Sequence, residues 1–424
     1  RKDRQRAACR KFARRRDHGQ GRVLRPRAEA NGEFKPCGVC GQMAGFGRSS
    51  VQDHQTKGDQ PFQALVTRQI EVQPPSAPYS DFAPLRGRKV LAFSDSRQVA
   101  ARLAPNLQAY SMRDVIRPLI LKGWTDLAAQ PGIGTQLSLE RLYLAVMVGA
   151  KQLKVRLRPE LRQAESLHVA RDVGKAVDKG ALRGDVAATM ELLMLTAQPP
   201  QALLRAMYAT LTDKYYGLTS LGLASLREKA SLTDELLANL PVIPVVATTD
   251  EERLALLRMW LAQWSTPARG IWFPGMTQEW WRQKRGVKPH SGKFQTVERW
   301  LDTPAAKKVF KDSWLPTILP TFCELQGNKY RLLAGTVALD IGGLWGYCER
   351  CRFTQRPFPR STKCVSCGAD KVRTLDPETD EVFQARKGYY RESAERALKT
   401  PGKPIMSIIA AEHTAQLNAA QSDA

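Results

Sequence analysis

The stretch GRKVLAFSDSRQVAARLAPNL, residues 87–107, joins two patterns in one short space. Val90 to Phe93 is an apolar run that stops at Ser94-Asp95-Ser96-Arg97. A helical pattern follows at once, with Val99 and Leu103 on one face and Pro105 expected to limit it. A continuous apolar run suits a buried parallel strand, placed at 88–94, and the helix is expected from about residue 96. Strand followed by helix predicts a βαβ unit. In the polar cup between them, Ser94 or Ser96 can cap the helix, whose amino end attracts anions. Arg97 adds a fixed positive fork. A nucleic-acid backbone phosphate fits there; plain capping with Arg97 in solvent is the alternative.

Charge points the same way. The 424 residues carry 65 Lys and Arg against 41 Asp and Glu, a formal charge of +24. Such an excess predicts a polyanionic partner, nucleic acid first and an anionic membrane surface second. No apolar run reaches the length of about 18 residues that a membrane span needs, and no amino-terminal apolar segment resembles a signal peptide. The first residues, RKDRQRAACRKFARRR, and the last, SIIAAEHTAQLNAAQSDA, both read as interruptions, so a fragment of something longer is expected.

Along the chain, residues 1–35 read as a basic arm, and 36–86 as a Cys-x-x-Cys loop followed by a Pro-rich linker, PPSAPYSDFAPLRG. Residues 87–134 carry the strand-helix unit. Residues 135–325 are expected to be mainly helical, with a clear stripe at Leu139, Leu142, Val146, Ala150 and Leu153. Between 270 and 300, tryptophans and cations alternate: Trp272, Trp280, Trp281, Arg282, Lys284, Arg285, Lys288, His290, Lys293 and Trp300. That mixture can stack bases and neutralise phosphates, although Trp at helical spacing is also ordinary core. KYRLLAGTVALDIGG reads as a strand or hairpin opening a cysteine module over 326–376, and Ile405 to Ala410 reads as a strand within 377–424.

The cysteines carry the strongest local signal. Six of eight fall in Cys-x-x-Cys pairs, which in a chain without a secretion signal mean metal or redox chemistry and a reducing, cytoplasmic compartment. In YCERCRFTQRPFPRSTKCVSCGAD, Cys348 with Cys351 and Cys364 with Cys367 supply two knuckles that complete a tetrahedral Zn2+ site at about 2.3 Å from each sulfur. Four thiolates leave no open position, so the metal is structural and the module a zinc ribbon. Gly368 is expected to make the tight turn after the last cysteine. Arg352, Arg356, Arg360 and Lys363 in the loop are candidates to touch phosphate. Cys37 and Cys40 form a further pair, a candidate metal site lacking two ligands. Cys323 reads as a core thiol.

RKVLAFSDSRQVAARLAP resembles the start of the second RecA-like lobe of superfamily 2 DNA helicases. It most resembles the large DEAD/DEAH-type helicases with cysteine-rich zinc modules, Druantia-type anti-phage helicases among them. The resemblance places Ser94, Asp95, Ser96, Arg97 and Gln98 at helicase motif IV, near the phosphates of the tracking strand. The tail SIIAAEHTAQL resembles the next strand of that lobe. It implies an α/β fold: a partial RecA-like lobe interrupted by a large, mainly helical insertion and a small zinc ribbon. It also implies DNA as partner, a partner protein of a defence system, and ATP with Mg2+ in the complete parent. The chain contains no Gly-x-x-x-x-Gly-Lys-Ser/Thr loop and no Asp-Glu-x-His or Asp-Glu-Ala-Asp box, so no catalytic residue is assigned and ATP turnover belongs to the parent. The rival expectation is a non-enzymatic, zinc-dependent nucleic-acid-binding scaffold.

Overall fold

A computed structural model describes residues 60–80, 85–92, 97–130, 133–155, 199–265, 270–284 and 300–399, with 83, 173–175, 177, 297, 405–408 and 410. The basic arm, Cys37, Cys40, Ser94, Asp95, Ser96, Arg285, Lys288, His290 and Lys293 lie outside the described residues. Arg97 and Gln98 are described as backbone only, at the start of a helix.

The described α-helices of five residues or more are α1 (Gln60–Val72), α2 (Arg97–Ala128), α3 (Leu142–Gln152), α4 (Gln201–Thr212), α5 (Thr233–Asn239), α6 (Asp250–Ala262), α7 (Gln278–Arg282), α8 (Pro304–Val309), α9 (Leu315–Phe322) and α10 (Tyr389–Lys399). The strands are β1 (Ala224–Glu228), β2 (Ile271–Trp272), β3 (Cys323–Gln326), β4 (Lys329–Leu333), β5 (Val337–Ile341), β6 (Trp345–Cys348), β7 (Thr354–Gln355) and β8 (Val372–Leu375). They form three small sheets, ordered β1-β5, β2-β4-β3 and β7-β6-β8, in which only the β2–β4 pair is parallel.

Helix α2 is the axis of the fold. It runs through Pro105 and Pro118 to Ala128, so Pro105 does not end it. Helix propensity is a weak prior against tertiary packing, and α2 is packed along much of its length. It crosses α3 backbone to backbone. A Cβ on Gly123 would lie 1.8 Å from the Ala145 carbonyl oxygen, and one on Gly149 would lie 2.1 Å from that of Leu119. Helix α3 is buried on every side from Leu142 to Ala150, which is why its sequence is apolar all round. The predicted stripe is in this core: Leu139, Leu142, Val146 and Ala150 are buried and Leu153 packs against them.

The expected strands at the two ends are not strands among the described residues. Residues 88–92 and 405–408 carry no ladder. A strand requires a neighbour to satisfy its backbone, and in the second segment side chains take that part. Ser111 Oγ on α2 accepts the Ile408 N–H at 2.8 Å, and Gln108 of α2 donates to the Ala410 carbonyl. The two segments still meet: Val90 packs against a small cluster of Val66, Ile70, Met406 and Ile408. The Pro-rich stretch folds back on itself rather than running free. Ser76 N–H donates to Gly87 O at 2.9 Å, and the Arg86 guanidinium donates to the Leu153 and Lys154 carbonyls at the end of α3.

KYRLLAGTVALDIGG supplies two strands that do not pair with each other. β4 joins β3 and β2, while β5 crosses to β1, inside the stretch expected to be mainly helical. The region from 135 to 325 and the cysteine module are therefore stitched together. Near that seam, the β1 carboxylate of Glu228 is fully buried and receives both arms of Arg258 at 3.0 and 2.6 Å. Burial opposes its charge, yet Arg258 and Arg227 hold its carboxyl below the usual range.

Candidate metal centre

β6 ends at Cys348, and the chain turns back through Cys351 into β7; a second turn, Cys364 to Cys367, leads into β8. The two turns repeat one geometry. Arg352 N–H donates to Cys348 O at 2.8 Å, and Gly368 N–H donates to Cys364 O at 2.8 Å. Cys348 N–H donates to Phe353 O, and Cys364 N–H donates to Ala369 O. The residue after each second cysteine is left-handed, Arg352 at φ 64° and Gly368 at φ 69°. The glycine expectation is met at 368, and an arginine takes the same strained backbone at 352.

The four sulfurs lie within 4.8 Å of one another. Cys348 Sγ is 3.7 Å from Cys367 Sγ, and Cys351 Sγ is 3.5 Å from Cys364 Sγ. A tetrahedron with metal–sulfur bonds of about 2.3 Å has sulfur–sulfur edges of roughly 3.8 Å, so the donor set fits a zinc-sized ion. Backbone N–H groups already face the sulfurs, Cys351 N to Cys348 Sγ at 3.5 Å and Ser366 N to Cys364 Sγ at 3.4 Å. Such donors stabilise thiolate charge. Burial pushes the Cys364 and Cys351 thiols up. For Cys367, burial is outweighed by the Ala369 N–H and the neighbouring sulfurs, which bring it down. A divalent cation in the centre would deprotonate coordinating thiols outright. Cys348 and Cys364 are buried while Cys351 is exposed, so the site closes on one side and stays reachable on the other.

The basic loop of the ribbon faces the body of the protein. Arg356 donates to Ser225 Oγ at 2.7 Å and to Asp340 O at 2.7 Å, and lies 4.2 Å from the Trp345 ring centroid. Arg360 is ion-paired with Glu252 and reaches Thr248 Oγ1 at 2.9 Å; Lys363 is ion-paired with Asp302. Arg356, Arg360 and Lys363 thus act as staples between the ribbon and the body of the protein. Glu252 explains the attraction. It is the acidic partner in a capping box with Thr249, and it also accepts the Thr248 N–H and hydroxyl. Although burial opposes its charge, these donors and Arg360 hold its carboxyl at about 2. Behind the staples, Trp300 stacks on Phe358 at 4.6 Å and donates Nε1–H to Lys363 O.

The tryptophan-rich patch resolves toward the core. Trp280, Trp281 and Trp300 are buried. Arg331 sits 3.8 Å over Trp272, Arg205 4.6 Å over Trp280, and Lys284 4.3 Å over Tyr208. Among the described residues of this patch, aromatic and cation lie against each other. Cys323 is a buried thiol pushed up by burial, as a core cysteine should be.

Set beside known proteins, the chain is 26% identical over 426 residues to the Druantia protein DruE of Escherichia coli (strain UMEA 4076-1). The match covers 95% of this chain and 22% of that protein, so the chain spans about a fifth of the relative's length. No family model and no solved structure matches. Among the described residues no helix is long and apolar enough to cross a membrane.

Proposed function

We propose that this chain is a segment of an ATP-driven DNA helicase of a phage-defence system, and that its work is to grip nucleic-acid backbone. The observation that carries the reading is the likeness to the Druantia protein over 95% of the chain, in a sequence that also holds the motif IV-like stretch. The meeting of Val90 with Met406 and Ile408 supports it, because the resemblance makes those two segments neighbours in one lobe. The charge of +24 supports a polyanionic partner. In this reading Ser94, Asp95, Ser96, Arg97 and Gln98 face the phosphates. Zn2+ at Cys348, Cys351, Cys364 and Cys367 holds the ribbon in shape, and ATP with Mg2+ is handled by residues outside these 424.

The test is salt-dependent binding. Titration of a labelled single strand should give a log–log slope of roughly 0.7 per phosphate neutralised, and a duplex about 0.9. Affinity unchanged between low and physiological salt would remove the backbone grip. Arg97→Ala should weaken binding about equally on all sequences, since phosphates carry no base identity. If it leaves affinity untouched, the motif IV assignment is wrong at that position.

A further inference from the structure

Two lysine-flanked tyrosine doublets occur in the sequence, Lys214-Tyr215-Tyr216 and Lys387-Gly388-Tyr389-Tyr390. They are more than 170 residues apart and the fold brings them together. Tyr215 is 6.3 Å from Tyr216, Tyr216 is 4.8 Å from Tyr390, and Tyr390 is 5.2 Å from Tyr389, between ring centroids. The four rings make one continuous row across the end of α4 and the start of α10. Lys387 Nζ donates to Tyr215 O at 3.3 Å, joining the two strands of chain. Tyr215 and Tyr389 are 61% and 43% exposed, while Tyr216 and Tyr390 are half-buried behind them.

We propose that this row is a stacking surface for single-stranded nucleic acid, with Tyr215 and Tyr389 taking bases and Lys214 and Arg113 facing the backbone. The proposal rests on the nucleic-acid reading above and names the surface that does part of the work. Every base has a π-face, so aromatic rows among cations bind single strands without sequence preference. The cations are in place: exposed Arg113 lies 5.9 Å from the Tyr216 ring, and exposed Lys214 5.5 Å from the Tyr215 ring. The neighbouring carboxylates already have partners. Asp213 accepts the N–H groups of Tyr215 and Tyr216 at 2.7 and 2.8 Å, Asp114 pairs with Arg117, and Glu392 pairs with Arg68 and Arg396. The segment that leads into Tyr389, Gln384–Gly388, is π-helical, a wide turn that occurs often at functional sites. Tyr389 is also held in place, its hydroxyl donating to Gln63 Oε1 at 3.2 Å.

The experiment compares two probes on the full chain: an oligothymidylate of about 12 nucleotides and an abasic strand of the same length. Both carry phosphates, and only one carries bases. The unaltered protein should prefer the thymidylate. Tyr215→Ala with Tyr389→Ala should bind thymidylate about 5- to 150-fold more weakly per lost stack, bring it level with the abasic strand, and leave the salt slope unchanged. Tyr215→Phe with Tyr389→Phe should keep the preference. If the double Ala variant melts early, Tyr215→Ala alone, at the most exposed ring, carries the test. A preference for thymidylate that survives removal of the rings overturns the proposal. Equal binding of both probes by the unaltered protein also overturns it and leaves the backbone grip standing. Binding of neither probe removes both.

Discussion

Four sulfurs at tetrahedral spacing leave no coordination position for water, so a metal at Cys348, Cys351, Cys364 and Cys367 shapes the chain and does not react. Elemental analysis of the purified chain should show zinc, and Cys364→Ser with Cys367→Ser should remove the equivalent held there. Zinc retained in full by that variant would exclude the assignment. Glu252 supplies a second prediction, in pH. Its folded carboxyl titrates near 2, below the roughly 4.3 of an unfolded glutamate, so its stabilisation is complete above that value. That contribution should disappear as pH falls from about 5 toward 2, and Glu252→Gln should flatten the melting temperature over that window. At neutral pH the same change should cost about 2 kcal/mol, since it weakens several hydrogen bonds to a charged acceptor. An unchanged acid limb in Glu252→Gln would place the pH sensitivity elsewhere. The cysteines were legible in the sequence because their spacing is local. The partnership of Arg360 with Glu252, 108 residues away, was not, because no short-range pattern records it. A basic loop looks the same on paper whether it meets phosphate or carboxylate.

The crossing of α2 over α3 depends on two missing side chains. Gly149→Ala places a methyl against the Leu119 carbonyl, which is backbone and cannot swing aside. Thermal or urea unfolding should show a loss of about 1–3 kcal/mol, the usual cost of overpacking, and Gly123→Ala should behave alike. A neutral result for both would mean the helices can separate without penalty. Helices were easier to read than strands here. The stripe through Leu139 and Val146 is set by local periodicity and is buried as expected. The apolar runs at 90–93 and 405–410 have strand-like composition, but a strand is a property of two segments, and Ser111 and Gln108 satisfy the second run instead. Pro105 misled in the opposite direction. It is exposed on α2, and the helix is carried by its packed side.

Across the whole molecule, the ribbon is an outer piece tied to the main core by Trp300, Phe358, Glu252 and Ser225. Structural zinc contributes on the order of 10 kcal/mol to local folding. Chelation should therefore raise amide exchange first in β6, β7 and β8, then around β1 and β5, and last in α2 and α3. Exchange that rises everywhere at once would mean that the ribbon and the core unfold as one unit. A separate feature joins the first and last described stretches. Helices α1 and α10 are cross-linked by Arg68 to Glu392 and by Arg396 to Glu71 at 2.8 Å, while Ile408 is tied to Ser111. The first and last described stretches thus meet at one place, with the metal centre and most of the core between them in sequence. Mechanical tension applied through residues 60 and 410 would be borne by that clasp and by α2 against α10. The metal centre and the glycine crossing lie off the load path, so neither is stretched until the clasp yields.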